Sequence, residues 1–364
     1  MTTAKPHAPI NVGILGLGEV SQLMHLPILH DMAEDFRITG LFDVSASAMA
    51  YIAARYPGTQ CFDSAEALCL SDEIDAVFIL TPDNTHHGFL EAALDAGKHV
   101  FLEKPACLTT AEIDSVMPMV KASNKVVFVG YMRRYSRPFQ RAKQIMPDLS
   151  KIRTVRVRDL IAEAPFFIRQ SRPVYAANDI DPAIIAQGRR ETDALLSQVT
   201  GADAEPGMKR AYQVLTGLSI HSLSAMRELI GLPKRVISAN WRHGGESIVV
   251  LFDYGHFIAI YEAMIDNNAR FEAVIDVLTD RTEIQVTYDT PYIRNLPTEL
   301  RVTTSTDEDI ETTHYGPDYT DPFRIEIAAF KEHIRTGSMP KTTLQDARED
   351  MVLLADIARA FCPR

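Results

Sequence analysis

Two glycines and a carboxylate set the first chemical question. Residues Gly13 to Ser21 read Gly-Ile-Leu-Gly-Leu-Gly-Glu-Val-Ser, between an apolar run and a helical pattern. Gly16 permits a tight turn, and Gly18 lets a bulky anion approach the backbone. The N–H groups and dipole of the next helix favour phosphate there. Gly16, Leu17, Gly18, Glu19 and Val20 are therefore read as a dinucleotide pyrophosphate site. The third small position holds Ser21 rather than glycine. Asp43 ends the next apolar run, where a carboxylate accepts hydrogen bonds from ribose hydroxyls and repels a 2′-phosphate. Val44-Ser45-Ala46 adds no arginine to offset that repulsion, so NAD is expected to be preferred over NADP.

The surrounding pattern supplies the elements such a site needs. Strands are expected at Asn11–Leu15, Ile38–Phe42, Ala76–Leu80, His99–Leu102 and Val126–Gly130. Helical patterns separate them: one runs to His30, and others cover Ala46–Arg55, Gly88–Ala96 and Thr110–Ala122. This alternation implies right-handed βαβ units and a parallel sheet, an α/β Rossmann domain over residues 1–130. Residues 131–364 read as an α+β domain with a large, mostly antiparallel open sheet. Its strands are expected at Ile152–Leu160, Arg235–Asn240, Ser247–Phe252, Phe257–Ala263, Phe271–Leu278 and Thr282–Tyr288, with closing helices at Pro322–Arg335 and Leu344–Phe361. The stretch 176–215 is polar and broken, with a helical patch at Ile184–Val199, and reads as an insertion.

Composition narrows the class. The chain has 364 residues, enough for two cores, and 46% are hydrophobic. A formal net charge of −11 argues against a nucleic-acid partner. Cys61, Cys69, Cys107 and Cys362 form no C-x-x-C pair, so neither a zinc site nor a disulfide framework is expected, which fits a reducing cytoplasm. The opening Met-Thr-Thr-Ala-Lys-Pro-His has no apolar core of a signal peptide, and no run reaches membrane-spanning length. The histidines are scattered without ligand spacing, so no metal is expected.

Three further stretches go beyond a generic nucleotide-binding domain. They are Thr81-Pro-Asp-Asn-Thr-His86, Ala92–Val100 and Glu103-Lys104-Pro105. With His25-Leu-Pro-Ile they resemble the Gfo/Idh/MocA oxidoreductases, the glucose–fructose oxidoreductase and inositol dehydrogenase group. The resemblance is dense over about residues 10–135, and Phe323–Gly337 is similar to that family's closing helix. It implies a two-domain NAD(P)-dependent dehydrogenase for sugars, polyols or inositols, assembled as a homodimer or homotetramer through the C-terminal sheet. It also implies that Lys104 lies beside the nicotinamide and the substrate hydroxyl, that Glu103, Thr81 and Pro82 line the nicotinamide ribose, and that Asn84 and His86 belong to the cofactor site.

Chemistry gives Lys104 a reason to be there. Oxidising a carbinol removes its hydroxyl proton, and the reverse reaction needs a proton donor at the oxygen. His221 is the second catalytic candidate, near the start of a helix stopped by Gly231. Family members carry Asp four residues before this histidine and often three after it, where this chain has Gly217 and Ser224. A helix N-terminus and no acidic neighbour favour a neutral imidazole that accepts a proton or orients a hydroxyl. Tyr131 and Arg134 are candidates for substrate contact, the arginine for a carboxylate or phosphate, or alternatively as a structural ion-pair partner. The altered partners of His221 keep two other readings open: a dinucleotide- or sugar-binding sensor without turnover, and a dehydrogenase for a non-sugar substrate such as an aromatic dihydrodiol.

Overall fold

The computed structural model describes residues 8–361. Cys362 and the polar start up to His7 lie outside them. The first sheet is parallel: β1 (Ile10–Leu15), β2 (Phe36–Phe42), β3 (Gln60–Cys61), β4 (Ala76–Ile79), β5 (His99–Glu103) and β6 (Val127–Gly130). They are ordered β3-β2-β1-β4-β5-β6. The strand order reverses between β1 and β4, the switch point where ligands bind in open α/β sheets. All four residues of β4 and of β6 are buried, as expected of strands covered on both faces.

The second sheet has eight strands: β7 (Thr154–Ala162), β8 (Arg235–Arg242), β9 (Ser247–Asp253), β10 (Ile258–Asp266), β11 (Phe271–Leu278), β12 (Thr282–Tyr288), β13 (Thr298–Ser305) and β14 (Ile310–Asp318). Their order is β14-β13-β12-β11-β7-β10-β9-β8. Only the central β10–β7 pair is parallel, so the expected fold class is what the chain adopts. Alternating burial along β9 and β10 shows one covered face and one open face.

The last two helices reach back from the second sheet. Helix Pro322–Thr336 lies against the first sheet. Phe330 sits 5.6–5.8 Å from Phe78, Phe101 and Phe128, rings that line the sheet's face. Each such buried aromatic ring contributes about 1.5–3 kcal/mol, enough to hold a returning helix. Helix Leu344–Arg359 packs between helices Thr110–Ala122 and Ile220–Ile230, so it touches both units.

Candidate functional site

The glycine turn is built as its sequence requires. Gly16 has φ +89°, and a Cβ there would lie 2.7 Å from the Leu80 carbonyl oxygen. Only glycine satisfies both conditions. A Cβ on Gly18 would meet nothing within 4 Å, so the backbone faces open space. A helical run follows directly, π-helical over Ser21–His25 and α-helical over Leu26–Asp31. The Asp43 carboxylate accepts from Leu17 N at 2.7 Å and from Ser45 N at 2.9 Å. It therefore ties the glycine turn to the end of β2.

This turn joins two large cavities. One, of about 680 Å³, is walled by Gly16, Asp43, Val44, Thr81, Pro82 and Asn84, and roofed by helix Pro182–Thr200. The insertion thus closes over the site its position in sequence left undefined. The other cavity, of about 450 Å³, holds Val20, Glu103, Lys104, Arg133, Gly217 and His221. Leu17, Gly18 and Glu19 line a smaller space that shares Asp43 and Ile180 with the first cavity, under residues Val174–Ala177. These residues fit a dinucleotide: a glycine cradle, bared N–H groups at a helix start, and a carboxylate at the second strand's end.

Lys104 and His221 share the second cavity. The Lys104 ammonium donates to the Gly217 carbonyl at 2.9 Å, which aims the side chain inward. The Lys104–Pro105 bond is cis. Glu103 is buried, accepts from Lys104 N at 3.1 Å, and lies 2.8 Å from His25 Nε2. Burial pushes the Glu103 carboxyl up, but the His25 bond and the Lys104 charge outweigh it and hold it below the usual range.

The reason for a neutral His221 differs from the expected one. His221 is not at a free helix N-terminus: a π-helical turn, Leu215–Ser219, runs unbroken into helix Ile220–Ile230. Burial, then the charges of Lys104 and Arg133, push its imidazole well below the ordinary histidine value. Its Nδ1 is buried without a partner. Both π-helical turns border this cavity, through Met24 on one side and Gly217 and Leu218 on the other. Such turns are frequent at functional sites because they reset a helix's phase.

Three expected contacts are corrected. Arg134 does not face the cavity. It is buried among carboxylates, with Nε 2.5 Å from Glu228 and a nitrogen 2.5 Å from Asp346, so the ion-pair alternative holds. Tyr131 is also buried, 1% exposed, beneath the Arg134 guanidinium. His86 is 1% exposed, its ring nitrogens against the carbonyls of Pro105 and Thr81. It braces the Thr81 turn against the Lys104 loop and leaves no edge for a cofactor.

Other residues were not singled out by sequence. Arg133 lines the Lys104 cavity, and its Nη1 donates to Asp159 at 2.7 Å. Asp159 also accepts from Ser222 and Tyr261. Arg210 and Gln213 stand where the two large cavities meet. Tyr292 lines the Lys104 cavity too. Among the described residues no group of three or more potential ligands gathers for a metal, and no helix is long and apolar enough to cross a membrane.

Comparison with known proteins agrees with this geometry. Residues 10–131 match the family described as "Oxidoreductase family, NAD-binding Rossmann fold". UDP-N-acetylglucosamine 3-dehydrogenase of Acidithiobacillus ferrooxidans is 27% identical over 241 residues, 64% of this chain and 72% of that protein. A 1-carboxy-3-chloro-3,4-dihydroxycyclohexa-1,5-diene dehydrogenase of Comamonas testosteroni is 26% identical over 176 residues, 48% of this chain. The chain spans only 44% of that relative's length. KijD10, a 3-ketoreductase of Actinomadura kijaniata solved with NADP and TDP-benzene, superposes with a TM-score of 0.72 at 16% identity. That likeness covers 98% of this chain and all of the other, and shows a shared two-domain fold. The glycine turn, the E-K-P loop and the matched segment all lie in one unit, and that unit is similar to the Gfo/Idh/MocA oxidoreductases.

Proposed function

We propose that this protein is an NAD(P)-dependent dehydrogenase or reductase acting on a hydroxyl or carbonyl carbon of a sugar- or polyol-like substrate, with NAD preferred. One observation carries the reading: the Lys104 amine and His221 share a cavity whose wall includes Val20 of the glycine turn. Gly16, Leu17, Gly18, Glu19, Val20, Asp43, Thr81, Pro82, Asn84 and Glu103 surround the space assigned to the dinucleotide. A bound nicotinamide supplies or accepts the hydride. The protein's own part is the proton. Lys104 takes the substrate hydroxyl proton in oxidation and returns one to the oxygen in reduction. Neutral His221 orients that hydroxyl, and the Gly217 carbonyl fixes the amine facing it.

Lys104→Ala tests this. Turnover is expected to fall on the order of 10²-fold or more, with the coenzyme dissociation constant nearly unchanged. Full turnover in that variant excludes the assigned role, and wild-type protein that binds NAD but shows no absorbance change at the nicotinamide band with sugars, inositols or sugar acids favours a sensor. A second substrate class has a specific observation behind it. Arg133 shares the cavity with Lys104, and a guanidinium there suits a substrate carboxylate. The Comamonas relative is named for a carboxylated ring diol. A panel of neutral polyols against their carboxylated counterparts separates the two classes. Pairing of copies through the open face of the second sheet belongs to the same reading, where Val249 and Ile258 stand 44% and 46% exposed. Light scattering at micromolar protein reads that assembly.

A further inference from the structure

The start of the insertion crosses the glycine turn as a strap. Gln22, on the helical run after that turn, donates to the Tyr175 carbonyl at 3.1 Å and accepts from Tyr175 N at 2.8 Å. The Tyr175 ring stacks on Tyr51 with centroids 4.4 Å apart. Four residues later Asp179 reaches helix Ala46–Arg55, the helix that follows Asp43. Its carboxylate accepts from Ser47 N at 2.8 Å, Ser47 Oγ at 2.7 Å and Ser45 Oγ at 2.5 Å. Ser45 is itself that helix's N-cap. The next residue, Ile180, lines the 680 Å³ cavity together with Asp43 and Val44. An acceptor from a distant segment therefore fills the anion-favouring helix start at the rim of the cavity assigned to the dinucleotide.

Resting on the dinucleotide reading above, we infer that Asp179 is a coenzyme-selectivity residue. It occupies the two serines and the N–H beside Asp43, and so denies that position to the 2′-phosphate of an NADP-type dinucleotide. A 2′-phosphate needs hydrogen-bond donors and positive potential. Here the donors are already satisfied, and a second carboxylate stands near Asp43. The three bonds hold the Asp179 carboxyl down to about 2, so it is charged at any working pH. Asp43 repels the phosphate from one side, and Asp179 removes the donors that would compensate.

Isothermal titration with two probes, 5′-AMP and adenosine 2′,5′-bisphosphate, tests the assignment without turnover. Wild-type protein is expected to bind 5′-AMP about tenfold or more tightly than the bisphosphate. Asp179→Asn and Asp179→Ala are each expected to tighten the bisphosphate about tenfold while moving 5′-AMP less than about threefold. Two variants guard against a strap that simply detaches, since thermal melting shows which one remains folded. An unchanged ratio in both folded variants, with Asp43→Ser alone narrowing it, overturns the inference and leaves the preference with Asp43. Equal binding of both probes by wild type instead sinks the NAD preference itself, and with it the role given to Asp179.

Discussion

The two cavities on either side of the glycine turn are built in opposite ways. The cofactor-side walls come from short contiguous motifs at the ends of neighbouring strands: Gly16 after β1, Asp43 after β2, and Thr81 to Asn84 after β4. The Lys104 side is assembled from segments far apart in sequence, including Arg133, Glu163, Gly217, His221 and Tyr292. The first is held by backbone geometry, the second by buried charge. A site made of backbone tolerates few substitutions at its glycines, whereas a site made of charge depends on every partner being present. The sharpest test of that difference lies outside the cavity, in the ionic brace beneath it.

Arg134 centres that brace. It joins Glu228 and Asp346, while Arg227 joins Asp346 and Asp350. Removing Arg134 takes the central cation from a buried network, leaving Glu228 to Lys143 and Lys341 and Asp346 to Arg227, at a cost of up to about 3–5 kcal/mol. Arg134→Ala is therefore expected to lower unfolding stability by that amount in urea, the largest effect foreseen apart from the turnover loss proposed for Lys104→Ala. A loss below about 1 kcal/mol would reduce the network to the level of surface pairs and erase the contrast.

Acid probes the same brace without mutation. Burial raises the Glu228 carboxyl, but Arg134 and Lys341 more than compensate and hold it down to about 2. The unfolded chain takes up that proton near the ordinary glutamate value, about 4.3. Between the two values the unfolded state binds more protons, so stability falls as pH falls. The contribution is complete above about pH 5 and disappears toward pH 2, roughly 3 kcal/mol in all. Urea midpoints measured stepwise from pH 6 to 3 should show this decline in wild type and a shallower one in Glu228→Gln.

The cofactor side answers to backbone strain instead. Gly16→Ala places a Cβ at φ +89° against the Leu80 carbonyl. The expected cost is about 1–3 kcal/mol of stability, together with weakened coenzyme binding. Calorimetry of folded Gly16→Ala with NAD reads the binding part. Unaltered affinity would show that the turn is not the phosphate cradle.

What sequence could reveal follows the same division. The glycine turn, Asp43 and Lys104 could be read as candidates because each belongs to a motif of residues adjacent in the chain, and strand edges came within two residues for β1, β2, β4, β5 and β6. Arg133 and Arg134 are adjacent arginines in a short 3₁₀ turn, Met132–Tyr135, and no periodicity says which one faces inward. β13 and β14 escaped because β14 buries no residue and β13 only Thr298 and Leu300, so neither carries a run of alternating core residues. The π-helical turns were equally invisible: Ser21–His25 sits inside a pattern that reads as ordinary helix, and Leu215–Ser219 precedes the expected start of the His221 helix. Asp179 and Tyr175 lie in a polar stretch whose partners are more than a hundred residues away.

Asn84 gives the smallest and most discriminating test, because the two cavities' logics compete at it. Its position after β4 assigns it to the dinucleotide, and it does line that cavity. Its side-chain nitrogen, however, donates to Glu191 Oε2 at 3.0 Å, on the helix that roofs the space. One of the amide's two N–H groups is engaged this way and anchors the roof. An exposed bond of this kind is worth a few tenths of a kcal/mol up to about 1. Asn84→Ala is therefore expected to weaken NAD by no more than about threefold, and Glu191→Ala to do the same, because both break one contact. The double variant should then be no weaker than either single one. A loss of about tenfold or more confined to Asn84→Ala would place the amide on the cofactor, and would move this residue from the charge-and-contact logic of the roof to the motif logic of the strand ends.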